Sequence, residues 1–124
     1  MTNSTISSNT VGFGTGGGIF NGNTLNLVNS TVSGNNGGSG SGGGISNFGT
    51  LNVTNSTISD NSNRGIVNLG SNTTTLAGSI VANNTSSSNP MHDLSGGYQI
   101  NCVNEFASIV GTRPSKMMEK ACIA

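Results

Sequence analysis

"GGGISNFGTLNVTNSTISDN" occupies residues 42–61 and repeats, with few changes, "GGGIFNGNTLNLVNSTVSGN" at residues 16–35. Gly44 and Ile45 answer Gly18 and Ile19, Leu51 answers Leu25, and the triplet Asn-Ser-Thr opens at Asn3, Asn29 and Asn55, each offset being 26 residues. Three units therefore share one register. A fourth, "RGIVNLGSNTTTLAGSIVANN" at residues 64–84, keeps Gly65, Ile66, Asn68 and Gly70 but lacks the Gly-rich stretch, so its offset from the previous unit falls to 21 and then, after Ser71 and Asn72, grows to 23. Insertions and deletions of this kind belong in bends between elements.

Within a unit, residues 24–28 and 50–54 alternate polar and apolar around Leu25 and Leu51, the period of a strand with one buried face. "STVS" and "STIS", centred on Val32 and Ile58, are short and rich in β-branched residues, which also reads as strand. A third strand is expected around Ile19 and Ile45, with Gly and Asn at the bends because these residues tolerate positive φ. No helical period is sustained. A unit with so few apolar residues cannot offset the entropy of ordering its own backbone, at about 1–2 kcal/mol per residue, so units must stack. In a stack, strands pair in parallel at about 4.8 Å and identical side chains fall on one another. The sequence thus predicts a core stack of Ile19, Ile45, Ile66, Leu25, Leu51, Val32 and Ile58, and a side-chain ladder of Asn3, Asn29 and Asn55.

These phrases, together with "SIVANN" followed by "DLSGGY", resemble the right-handed parallel β-helix repeats of large bacterial secreted and surface proteins, of the adhesin-like and polymorphic outer-membrane kinds. The resemblance covers roughly residues 1–98. It implies an all-β solenoid of three to four coils of about 26 residues, serving as a structural or adhesive module outside the cell. The family's C-terminal continuation does not carry over, because residues 99–124 depart from the pattern and read as a divergent tail or cap. In that tail "SKMMEKACIA" (115–124) has the composition of a short amphipathic helix. Cys102 and Cys122 lie beyond the repeat, without CxxC spacing or histidine neighbours, and leave a disulfide and two free thiols equally open.

Charge excludes other classes. Only 6% of the 124 residues are charged, the formal net charge is zero, and residues 1–59 hold no ionisable side chain, so no basic surface for nucleic acid is expected. No apolar run is long enough for a membrane helix, and no signal peptide opens the sequence. The repeat is already under way at Thr2, which suggests a C-terminal fragment of a longer surface protein whose open coil ends would favour self-association or partial disorder of residues 1–10. Glycans, or cell-surface proteins of a host or neighbouring cell, are the expected partners.

Parallel β-helices also include polysaccharide lyases and hydrolases, so a remnant of such an enzyme, lacking its catalytic coils, is the alternative. Those enzymes need clustered carboxylates and cations. Here Asp60 and Arg64 stand as a lone local pair, and His92-Asp93 reads as a turn closing the last coil. "GFGTGG" (12–17) formally fits a dinucleotide-loop pattern but has no helix after it and no acidic residue at the required distance, and reads as a Gly-rich bend. No catalytic residue, metal or cofactor is assigned. The Asn-x-Ser/Thr sequons, at Asn3, Asn29 and Asn55 among others, follow from composition.

Overall fold

A computed structural model describes residues 1–38, 42–86 and 93–96, and the backbone of 99–103 and 108–110. The chain enters on β1 (Thr5–Ser7) and then winds three strands per coil. The first coil holds β2 (Ile19–Asn21), β3 (Thr24–Val28) and β4 (Thr31–Ser33), and the second β5 (Ile45–Asn47), β6 (Thr50–Thr54) and β7 (Thr57–Ser59). The third holds β8 (Ile66–Asn68), β9 (Thr73–Ala77) and β10 (Ile80–Ala82), followed by β11 (Leu94–Ser95), β12 (Gln99–Val103) and β13 (Ser108–Val110). Strands of successive coils lie side by side in three sheets: β2, β5, β8 and β11 form the first, β3, β6, β9 and β12 the second, and β1, β4, β7, β10 and β13 the third. All pairings between strands are parallel, as in a β-solenoid.

The register reproduces the repeat. Ile19 pairs with Ile45 and Ile45 with Ile66, Leu25 with Leu51, and Val32 with Ile58. The shortened offset of the worn fourth repeat is absorbed in the bends, since β8 and β10 still meet β5 and β7 residue for residue. The sheets also continue past residue 98, where the repeat fades from the sequence: β12 pairs with β9 and β13 with β10. The helix expected over 115–124, and Cys122, lie outside the described residues.

Inward positions build one apolar column per strand position. Ile45, Ile66 and Leu94 stack on the first sheet, Leu51, Leu27, Val53 and Leu76 on the second, and Val32, Ile58 and Val81 on the third, all buried, with Ile6, Ile19 and Leu25 half-buried against them. Of the expected core residues, Ile45, Ile66, Leu51, Val32 and Ile58 are buried, while Ile19 and Leu25 pack half-buried against them. In the third coil the column of Leu25 and Leu51 meets Thr74. Its buried hydroxyl donates to Asn68 Oδ1 at 2.6 Å, which satisfies the polar group where a leucine would otherwise stand.

Residues 1–10 lie over the first coil. Thr2 bridges Val28, β1 pairs with β4, Thr10 bridges Asn36, and the amino terminus donates to the Asn26 carbonyl at 2.6 Å. Only the third sheet gains a strand from this segment.

Two bends in each coil need left-handed backbone. Before the third sheet stand Asn3, Asn29 and Asn55, with φ of 51°, 48° and 48°, and Gly78 at 56°. After it stand Ser8, Gly34, Asp60 and Asn83, with φ between 56° and 62°. Asparagine, aspartate and glycine are the residues for which this conformation is least costly.

Candidate functional site: side-chain ladders and the faces they brace

Hydrogen-bonded side chains join coil to coil along two lines of asparagine, buried except at the exposed Asn9. In the first, Asn9 Nδ2 donates to Asn35 Oδ1 (2.9 Å), Asn35 Nδ2 to Asn61 Oδ1 (3.0 Å) and Asn61 Nδ2 to Asn84 Oδ1 (2.8 Å). Each Oδ1 also accepts the backbone N–H of the asparagine one coil earlier, at 3.0 Å for Asn9, Asn35 and Asn61. The second line runs from Asn21 Nδ2 to Asn47 Oδ1 (2.7 Å) and from Asn47 Nδ2 to Asn68 Oδ1 (2.9 Å). Side-chain amides suit this task because each carries both donors and an acceptor, so one residue type bonds its own copy indefinitely.

A serine line lies beneath the third sheet. The backbone N–H of Ser4, Ser30 and Ser56 donates to the Oγ of Ser30, Ser56 and Ser79, at 3.0–3.1 Å. Each of those hydroxyls donates at 2.8 Å to the carbonyl two residues before it, of Val28, Thr54 and Ala77. The middle residue of the repeated Asn-Ser-Thr triplet is thus a buried rung.

Among the described residues the first asparagine line ends on Asp93. Its Oδ1 accepts the Asn84 backbone N–H at 2.9 Å and Asn84 Nδ2 at 2.8 Å, and the residue is buried. Its side chain has no amide Nδ2 to hand on as each asparagine does, so among the described residues the amide line closes there. Its position follows from a crowded column. The backbone places Asp93 above Gly65, which lies above Gly44 and Gly18. A Cβ on Gly18, Gly44 or Gly65 would come within 2.9, 3.0 or 2.6 Å of the amide of Asn35, Asn61 or Asn84. Glycine is required where the ladder asparagine of the same coil fills that space. In the last coil an aspartate at this position supplies the acceptor instead. The second line ends differently: Asn68 Nδ2 is buried and has no partner among the described residues.

Asn3, Asn29 and Asn55, expected to form a ladder, do stack coil over coil, but at the exposed left-handed bend. Among the described residues their amides make no side-chain hydrogen bonds. Backbone conformation accounts for asparagine there, while the bonded ladders run through Asn9, Asn35, Asn61 and Asn84 and through Asn21, Asn47 and Asn68.

Outward positions differ between sheets. The first sheet presents Phe20, 55% exposed, in one coil, and buried Ser46 and Val67 in the next two. Phe20 lies 5.2 Å from the ring of Phe48, which is 41% exposed. The second sheet presents Thr24, Thr50 and Thr73 in register with Asn26, Asn52 and Thr75 beside them, and Asn52 Nδ2 donates to Asn26 Oδ1 at 2.8 Å on the surface. The third presents Thr5, Thr31 and Thr57 with Ser7, Ser33 and Ser59.

The stretch at 12–17 is an irregular loop with Phe13 99% exposed and positive φ at Gly14 and Gly16, leading into β2 and not into a helix. Asp60 occupies the left-handed bend that Ser8 and Gly34 occupy in earlier coils. His92 lies outside the described residues. Among the described residues no three His, Cys, Asp or Glu side chains come together, and no helix is long and apolar enough to cross a membrane. Comparison with protein-family models, curated proteins and solved structures gave no match to this chain.

Proposed function

We propose that this chain is a non-enzymatic structural and adhesive module of a secreted or cell-surface bacterial protein, of the adhesin-like kind. The observation that carries this reading is where the polar residues are spent. Buried asparagine and serine lines brace each coil to the next, while the outward rows offer neutral hydroxyls and amides on a repeating grid, with no ionisable side chain before Asp60. A rigid stalk needs backbone and side-chain bonds closed within the coil stack. An adhesive surface needs many weak, repeated contacts whose joint engagement gives avidity. Its partners are glycans or proteins of a host or neighbouring surface.

The test is display of the chain on a non-adherent bacterial host, with retention measured on glycan-coated and protein-coated surfaces. Retention well above that of the empty display host, together with resistance of the purified chain to a broad-specificity protease, is expected. A folded, displayed chain that retains no cells on either surface would refute the adhesive half of the reading.

A further inference from the structure

Resting on the adhesive reading above, we propose that the outer face of the third sheet is the adhesive face and that its ligand is an extended, neutral, hydroxylated polysaccharide lying along the solenoid axis. Three rows carry the argument, beginning at Asn3, Asn29 and Asn55, and each reads Asn-Ser-Thr-apolar-Ser. The serine in second place and the apolar residue in fourth turn inward to ladder and core. The asparagine, the threonine and the last serine face out. In-register pairing places the threonines and the last serines of the three rows directly above one another. Among the described residues none of these outward amides and hydroxyls is used in a side-chain hydrogen bond within the chain.

Two comparisons within the molecule separate this face from ordinary strand composition. The matching residues of the first sheet differ in every coil, as Phe20, Ser46 and Val67, of which only Phe20 is exposed and the Ser46 hydroxyl accepts the Gly42 N–H at 2.9 Å, so that sheet presents no repeated polar row. On the third sheet even the inward residue varies, as Ile6, Val32, Ile58 and Val81, while the outward threonine and last serine are identical in three successive rows, beside an asparagine that the left-handed bend accounts for. The identity then stops together: in the next row the same positions are Gly78, Ile80 and Ala82, with Ile80 46% exposed. The lattice is therefore a bounded patch.

The lattice chemistry selects the ligand. The patch has no charge, so an anionic or cationic polymer gains nothing there over a neutral one. Hydroxyls and amides both donate and accept, which matches sugar hydroxyls. Rows repeat at about 4.8 Å along the axis, so a ligand that uses all three rows must itself be extended and periodic.

The test uses the full chain with insoluble microcrystalline cellulose as the probe, insoluble β-1,3-glucan in parallel, and polygalacturonate beads as the anionic comparison. Binding isotherms are read for wild type, for the double variant Thr31→Val with Thr57→Val, for Ser33→Ala with Ser59→Ala, and for Phe20→Ala. Valine keeps the shape and strand preference of threonine, and a thermal melt verifies each fold. The expected result is saturable binding to a neutral glucan, weakened roughly five- to hundredfold by either third-sheet pair and unchanged by Phe20→Ala. Binding that Phe20→Ala abolishes and the third-sheet pairs leave intact would overturn the assignment of the face while keeping the adhesive reading. Retention on polygalacturonate alone would overturn the neutral ligand. No binding to any of the three polymers, with displayed cells still held on protein-coated surfaces, would overturn the polysaccharide and leave a protein partner.

Discussion

Replacing Asn61 by alanine tests whether the buried asparagine line holds the coils together. Asn61 is fully buried and its amide makes four bonds: Oδ1 accepts the backbone N–H and Nδ2 of Asn35, both at 3.0 Å, and Nδ2 donates to the Val32 carbonyl at 3.0 Å and to Asn84 Oδ1 at 2.8 Å. Truncation leaves the Asn35 backbone N–H with no acceptor, at about 1–3 kcal/mol for a buried orphan. Asn35 Nδ2 retains the Ile6 carbonyl, and the Asn84 acceptor retains the Asn61 backbone N–H. The other three bonds are therefore lost at the ordinary net value of about 0.5–1.5 kcal/mol each. The sum is roughly 3–7 kcal/mol, a large share of the total stability of a domain this size at roughly 0.05–0.15 kcal/mol per residue. The assay is a thermal melt followed by circular dichroism, with urea unfolding as a second measure. A drop of roughly 15 °C or more in Tm is expected. The paired variant Asn52→Ala, which removes a surface rung at 2.8 Å, should cost under about 1 kcal/mol. Equal Tm losses in the two variants would refute the claim that the buried line braces the solenoid.

Other substitutions probe other parts of the same frame. Gly44→Ala drives a Cβ to 3.0 Å from Asn61 Nδ2 and into the Gly65 carbonyl, whereas Gly12 has open space around it; unfolding free energies from urea titration should fall by about 3 kcal/mol or more for the first and stay within about 0.5 kcal/mol for Gly12→Ala. Leu51→Ala empties a fully buried core site and should lower unfolding free energy by about 2–5 kcal/mol. At the left-handed bend, where φ is 48°, Asn29→Gly should be near neutral while Asn29→Val costs about 1–2 kcal/mol, a difference readable in the same denaturation series. Asp93→Ala leaves the Asn84 backbone N–H and Nδ2 without the Asp93 acceptor; amide exchange at Asn84 should then accelerate at least tenfold relative to Val32, in the core of an earlier coil.

Period and burial were the legible parts of this sequence. The offset of 26 residues fixes register, and alternation around Leu25 and Leu51 fixes which side faces in, so coil count, strands per coil and core columns all follow. The ladder assignment did not follow from period, because several asparagines in each coil recur at the same offset and only backbone conformation distinguishes them. Asn29 repeats because its bend needs positive φ, whereas Asn35 repeats because its amide turns inward to Asn61. A signal was present at Gly18, Gly44 and Gly65: glycine recurring at one place in each coil implies a close neighbour, here the ladder amide. Asp93 was harder to see, since changed spacing after β10 hides its equivalence to Gly65. Its role as terminator emerges only when Leu94 is paired with Ile66.

The measurement that bears most directly on the coil stack is a methyl NOE spectrum of the chain labelled at isoleucine, leucine and valine methyl groups. Parallel stacking predicts cross-peaks Ile19–Ile45, Ile45–Ile66, Leu25–Leu51 and Val32–Ile58, pairs that share a register position in neighbouring coils. Cross-peaks confined to residues close in sequence, or joining strands at a different offset, would contradict it.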